Sequence, residues 1–332
     1  MRPDDLLHPT AEGLFCPPGG FHIDPVKPVA DAFVTHGHAD HARPGMTHVT
    51  ATPRTLDIMA IRYSTDHARG TSGVEFGEVV ERGPVTVTFH PAGHVLGSAQ
   101  IRVECEGTVI VASGDYKRTP DPTCEAFEPV PAHVFITEAT FGLPVFRHPE
   151  PGGQADALIA SLRQFPGRAH LVGAYALGKA QRVIRMLRDA GHDEPIFIHG
   201  SLNKLCDYYE SEGIALGELL PATLERGKKA EFGGKVIVAP PGAIQASWAR
   251  RFPDPVTCFA SGWMTVRQRG VELPLVLSDH SDWDELTATI REVGPREVWV
   301  THGREEALVR WCELHQIKAR PLHLVGYDDE AE

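Results

Sequence analysis

The chain has 332 residues, 42% of them apolar and 23% charged, an ordinary balance for one large globular domain or two smaller ones. A formal net charge of −12, with a pI near 5.8, excludes a protein that coats nucleic acid electrostatically but leaves room for local grip on a few phosphates. No run approaches the roughly 18 apolar residues of a membrane span. No signal peptide is read, and none of the 6 cysteines forms a C-x-x-C pair, so a cytoplasmic protein with reduced, mostly buried thiols is expected.

In chain order, residues 21–24, 31–36, 48–52, 84–92, 99–105 and 108–115 are rich in Val, Ile, Thr and Phe and are punctuated by Pro25, Gly83, Gly93 and Gly107. They are predicted as short strands. Residues 52–64 place Leu56, Met59, Ala60 and Tyr63 at helical spacing. Residues 133–140 form a further strand. These strands end in polar residues: His36, Asp115 and Glu138. Beyond 147–153 the texture changes, and helical patterns (154–165, 177–191, 201–213) alternate with apolar strands (169–175, 195–200, 234–243, 256–263). That alternation predicts βαβ units and a parallel sheet. From about 273 the first texture returns, with a strand, a helix through about Val293, and a strand ending at His302. The predicted organisation is a domain of 1–148 and 275–332, interrupted by an inserted domain of 149–274.

The stretch THGHADH, 35–41, brings His36, His38, Asp40 and His41 together on a loop leaving a strand. Ligands of this kind without cysteine suit Zn²⁺, Mn²⁺ or Fe²⁺. His94, Asp115 and His302 also stand at strand ends beside glycines, which completes seven candidate ligands. Any one of them alone reads as a structural residue; their joint placement points to a metal centre. A carboxylate between two ions can bridge them, and Asp115 is the natural bridge. Paired ions of this kind serve phosphoryl and acyl hydrolysis.

THGHADH, GHVLGSA, SGDYK, TEATFG, SDHSD and VTHG, in this order, resemble the metallo-β-lactamase superfamily and specifically its β-CASP nuclease branch. The resemblance runs from about Phe15 to His323. It implies an α/β fold: a metallo-β-lactamase αββα sandwich with an inserted Rossmann-like β-CASP domain. It implies two divalent metal ions (Zn or Mn), one held by His36, His38, His94 and Asp115, the other by Asp40, His41, Asp115 and His302. Asp40, His280, Glu138 and Asp24 would serve catalysis. In that set Asp24 orients a ligand histidine, Glu138 orients His280, and His280 faces the scissile phosphate. Asp282 and Asp284 read as charge at a helix N-terminus.

Within the insertion, LGKAQ resembles the branch's helix start, where Gly178 and Lys179 would hold a phosphate. ASGWMTVRQRG (260–270) resembles the turn of DNA cross-link repair nucleases such as Artemis, where Ser261 and Gly262 would admit the substrate backbone and Trp263 would pack. Arg43, Arg147, Arg182, Arg267 and Arg304 are further candidates near these motifs. The compact insertion resembles bacterial ligase-associated DNA exonucleases. The implied activity is metal-dependent hydrolysis of DNA, from the 5′ end of a single strand, with DNA ligase and helicase as partners and no membrane. An RNA-processing ribonuclease of the same branch, a small-ester metallohydrolase and a non-catalytic scaffold are the alternatives.

Overall fold

A computed structural model describes residues 1–223, 232–268, 270–322 and 324. His323, where the resemblance ends, and position 269 of the 260–270 turn lie outside them. The chain divides into two units, Met1–Arg147 with His280–Glu332, and His148–Asp279.

The first unit contains two mixed sheets. One has six strands in sequence order: His8–Pro9, Leu14–Cys16, Phe21–Ile23, Asp31–Phe33, Met46–Ala51 and Ala68–Gly73. The last four of these run parallel. The other has seven, in the order Lys318–Pro321, Glu297–Gly303, Val134–Ala139, Thr108–Ala112, Ala99–Cys105, Val85–Pro91 and Val79–Arg82. Its first four are mutually parallel and the rest antiparallel.

Alternation along each strand sends neighbouring residues to opposite faces. Val134, Ile136 and Trp299 join Phe21, Phe33 and Phe89 in a core shared by the two sheets. Phe135, Val298 and Val300 face the helices Trp283–Val293 and Glu305–Leu314 through Leu286, Ile290, Leu308 and Cys312. On the first sheet, Ala32, Val34 and Val49 meet Met59 of the helix Pro53–Tyr63. The layers therefore run helix, sheet, sheet, helix. Strands such as Val134–Ala139, buried throughout, read in sequence as plain apolar runs because both faces are covered.

The second unit is built on a six-stranded, wholly parallel sheet in the order Leu219–Pro221, Ile196–Ile198, Val236–Ala239, His170–Gly173, Val256–Ala260 and Leu273–Leu275. The helices Gly152–Gln164, Lys179–Asp189 and Asn203–Ser211 alternate with its strands. The chain returns to the first unit only at His280, five residues past the expected 275. Leu273–Leu275 completes the parallel sheet, and just beyond it Ser278 O accepts from Arg182 Nη1 while Asp279 pairs with Lys179. These ties hold 276–279 in the second unit. All six cysteines are free thiols. Among the described residues no helix is long and apolar enough to cross a membrane.

Phe33 is fully buried, its ring 4.4 Å from that of Phe21 and 6.0 Å from that of Phe89. Phe33→Ala should cost about 3–5 kcal/mol of stability, read as a lower urea midpoint for the first unit; a change below about 1 kcal/mol would place the core elsewhere.

Candidate metal centre

The parallel strands Thr108–Ala112, Val134–Ala139 and Glu297–Gly303 lie side by side, so their carboxyl ends share one edge. Asp115 follows the first, Glu138 stands near the end of the second and His302 near the end of the third. His36, His38, Asp40 and His41 occupy the loop between the parallel strands Asp31–Phe33 and Met46–Ala51, and His94 the loop 92–98. Two close approaches shape these loops. Gly114, at φ +56°, lies where a Cβ would come within 2.8 Å of Thr35 Cβ, and at Gly93, φ +73°, a Cβ would meet Lys117 O at 2.3 Å.

One oxygen of Asp115 is the hub. Its Oδ2 lies 3.4 Å from His36 Nε2, 3.5 Å from His41 Nε2 and 3.8 Å from His94 Nε2. Donor atoms of His36, His38, His94 and Asp115 all fall within 4.8 Å of one another. On the other side, His41 Nε2 lies 3.6 Å from Asp40 Oδ2, and the His41 and His302 rings are 5.3 Å apart. Asp115 thus faces both groups of candidate ligands.

The hydrogen bonds set the tautomers. Asp24 accepts from His41 Nδ1 (2.7 Å), Thr35 Oγ1 (2.6 Å) and Thr35 N (2.8 Å). The histidine that Asp24 orients is therefore His41. With its hydroxyl proton committed to Asp24, Thr35 Oγ1 accepts from His36 Nδ1 at 3.0 Å, which leaves the His36 Nε2 lone pair turned to the centre. Among the described residues, buried His36 Nε2 and Asp40 Oδ1 have no hydrogen-bond partner. A buried lone pair and a buried carboxylate oxygen without donors, set among imidazoles, fit a divalent cation.

The charges support that fit. Burial first, then the neighbouring imidazoles led by His41, hold His36 well below its ordinary value; the same causes push His302 down to about 3. Both are neutral lone-pair donors at pH 7. Burial also opposes a charge on His41, but Asp115, Asp40 and Asp24 outweigh it and push its pKa up to about 10. Burial, helped by Glu138 and Asp40 and resisted by His41 and His280, pushes Asp115 up to about 7. Without a cation, a proton on His41 balances the carboxylates.

His280 enters from the loop ahead of the helix Trp283–Val293. Its Nδ1 lies 2.9 and 3.1 Å from the two oxygens of fully buried Glu138, which also accepts from Tyr116 N. Its ring sits 4.7 Å from that of His94. Asp282 caps the helix in a capping box with Glu285, and Glu285 accepts from Lys117 Nζ and Thr119. Asp284 pairs with Arg147. Three supports escaped the sequence reading: Thr35, inside the motif but unread; Arg62, whose Nη1 donates to Gly37 O at 2.5 Å; and Glu285. Arg62 carried no local signal, because only the packing of its helix against the first sheet brings it there.

The substrate-binding candidates lie in the second unit. Gly178, at φ +82°, caps Lys179–Asp189, and Ser261 Oγ accepts from Trp263 N at the turn Gly262–Thr265. Both turns leave carboxyl ends of neighbouring strands, His170–Gly173 and Val256–Ala260. Ser261 and Gly262 are buried, Trp263 is half-buried, and Arg267 lies over its ring. Lys179, expected to carry charge to a phosphate, is instead buried: its Nζ lies 2.9 Å from Asp279 Oδ1 and 5.0 Å from the Tyr175 ring centre. A lysine desolvated beside a carboxylate is a structural tie, and sequence spacing could not show a partner a hundred residues away. Arg182 is likewise buried, and Arg304 N donates to Ala139 O.

Two predictions follow from this geometry. A cation must displace the proton on His41, so divalent binding at pH 7 should release about one proton or more, and affinity should fall as the pH is lowered. Calorimetry in buffers of differing ionisation enthalpy measures this; a buffer-independent heat would count against His41 as a ligand. Lys179→Ala should strip Asp279 of its partner and cost about 3–5 kcal/mol in urea unfolding, with much of the loss recovered when Asp279 is also replaced by Leu. Unchanged stability would reopen a substrate role for Lys179.

No family model matches the chain. A protein of Opitutus terrae named "Probable DNA ligase" is 30% identical over 91% of this chain and 30% of its own length. "Cleavage and polyadenylation specificity factor subunit 3-I" of Arabidopsis thaliana is 23% identical over 92% of this chain and 55% of its own. "Endoribonuclease YSH1" of Saccharomyces cerevisiae is 28% identical over 61% and 32%. The chain thus spans about a third to a half of these relatives. A crystal structure of a protein of unknown function from Enterococcus faecalis V583 shares the fold at a TM-score of 0.59 and 12% identity, over 89% of this chain and 80% of that one. With its motifs in order and relatives of these names along nine-tenths of its length, the chain belongs to the β-CASP branch of the metallo-β-lactamase superfamily.

Proposed function

We propose that this protein is a hydrolase of nucleic-acid phosphodiester bonds that uses two divalent cations, built as a metallo-β-lactamase sandwich with a β-CASP insertion. The observation that carries the reading is the single Asp115 oxygen set between the imidazoles of His36, His94 and His41. His36, His38, His94 and Asp115 would hold one cation, and Asp40, His41, Asp115 and His302 the other. Bound there, the pair would supply Lewis-acid charge and an activated water at neutral pH.

The chain's own groups do the rest. Asp24 fixes His41 through Nδ1, which presents Nε2 to the centre. Thr35 does the same for His36. Glu138 accepts from Nδ1 of His280, which fixes the ring's orientation and leaves Nε2 facing the centre. Placed beside His94, His280 Nε2–H would give its proton to the leaving oxygen of the phosphodiester. A small-ester hydrolase has no use for a second unit of this size.

DNA is the preferred substrate, attacked from the 5′ end of a single strand. The support is the similarity to a protein named as a DNA ligase along most of the chain, together with the Artemis-like 261–263 turn and the compact insertion. A DNA ligase and a helicase are the proposed partners. The RNA reading is supported by relatives named as endoribonucleases and as a polyadenylation factor subunit.

Metal analysis after saturation should approach two equivalents per chain. Single-stranded DNA labelled at the 5′ end should then release its label first, and Asp115→Ala should lower kcat by at least about a thousandfold with the fold intact. Faster turnover of matched RNA would move the substrate to RNA. A saturated metal content near zero would sink the hydrolytic reading.

A further inference from the structure

The four central strands of the second unit's sheet run Ile196–Ile198, Val236–Ala239, His170–Gly173 and Val256–Ala260 across its width. The sheet is parallel, so the loops leaving their carboxyl ends share one edge. Each loop brings a partly buried ring there: His199, Tyr175, Trp263 and Trp248, the last of which rests one side against Phe252 of the core. The His199 and Trp248 rings meet at 4.9 Å, edge to face, although they come from different loops. Guanidiniums lie over both indoles, Arg251 at 5.1 Å from the Trp248 ring centre and Arg267 at 5.1 Å from that of Trp263.

The charge of this edge departs from that of the chain. Although the protein carries 44 acidic residues, residues 174–178, 199–203, 240–252 and 261–268 contain no Asp or Glu, and they contribute His199, Arg250, Arg251 and Arg267. Among the described residues, none of these three arginines is in a salt bridge. Asp279, just beyond the last strand of the sheet, is buried against Lys179. A row of part-exposed rings with cations and no carboxylates suits one ligand class above others: a polyanion whose flat bases are unpaired.

We propose that this edge is a stacking track for single-stranded nucleic acid, with Trp248 and Trp263 as its principal platforms, His199 and Tyr175 as secondary ones, and Arg250, Arg251 and Arg267 as phosphate contacts. Neighbouring strands lie about 4.8 Å apart, so four of them span roughly 15 Å. At about 3.4 Å per stacked nucleotide this accommodates about four. Base-paired nucleotides have their faces occupied by their neighbours, so the track selects unpaired strands by their bases, without reading sequence. The proposal rests on nucleic acid being the substrate and adds what makes a single strand preferred.

Binding is measured by fluorescence anisotropy in EDTA, which removes cleavage from the reading. The probes are a short oligothymidylate, an abasic strand of the same length and a duplex. Oligothymidylate should bind about tenfold or more tighter than the abasic strand, which carries the same charge. Trp248→Ala or Trp263→Ala should erase most of that difference, whereas Trp248→Phe and Trp263→Phe should keep it. If an alanine variant fails to fold, Arg250→Ala and Arg267→Ala serve instead, each lowering the salt slope by about one while keeping base dependence. Equal affinity for the two strands, or alanine variants that bind like the parent, would overturn the track. Metal-loaded protein that cleaves strands without base-dependent binding leaves the nuclease reading standing and sinks only this one. Folded, metal-loaded protein that cleaves no nucleic acid sinks the nuclease reading itself.

Discussion

Desolvated charge at one point governs the first unit. Asp115, five imidazoles and Asp40 crowd a space where each unpaired charge carries a heavy solvation penalty. A fold can gather such groups only if its backbone delivers them from several directions and its outer residues hold them in place. The parallel strands do the first, by ending Asp115, Glu138 and His302 along one edge. The loop 35–41 reaches the same place from the other sheet, across the shared core of Phe33, Phe89 and Trp299. The cost of the assembly falls when a cation balances it, so structure and metal chemistry are two sides of one constraint.

Two buried carboxylates then divide the work of orientation. Asp24 accepts from His41 and Thr35 and so governs two candidate ligands at once, because the hydroxyl of Thr35 passes the constraint on to His36. Asp24 holds a φ of +44° to do so, an uncommon backbone conformation for aspartate. Glu138 does the corresponding task for His280 and is itself pinned by Tyr116 N. The loop carrying His280 is anchored by the Asp282–Glu285 capping box, and Glu285 is held by Lys117 and Thr119. The arrangement of the candidate ligands therefore depends on residues outside the candidate set.

The second unit solves a different problem. If its substrate is the proposed nucleic acid, an acidic protein must offer it some surface from which carboxylates are absent. In the proposed reading the carboxyl edge of the parallel sheet meets that need by composition, since residues 174–178, 199–203, 240–252 and 261–268 contain no Asp or Glu. Lys179 and Asp279 neutralise each other beneath it, where they tie a helix start to the segment after the last strand.

Much of this was legible in the sequence. Periodicity located the helices Pro53–Tyr63, Gly152–Gln164, Lys179–Asp189 and Trp283–Val293 and most of the strands, because each buries a face and the burial sets the period. Less regular pieces, such as Ala68–Gly73 and Leu219–Pro221, carried no apolar pattern and escaped notice. The ligand-type residues stood out because clustered histidines and aspartates at strand ends have few structural uses. The tertiary structure alone decided which groups face one another: that Asp115 Oδ2 sits among three imidazoles, that Asp24 serves His41, that Arg62 braces Gly37, and that Lys179 belongs to Asp279 rather than to the surface. Sequence records which side chains the chain can offer and the local period of their burial. Partner choice between residues tens or hundreds of positions apart is set by strand order and register, which exist only once the sheets have formed.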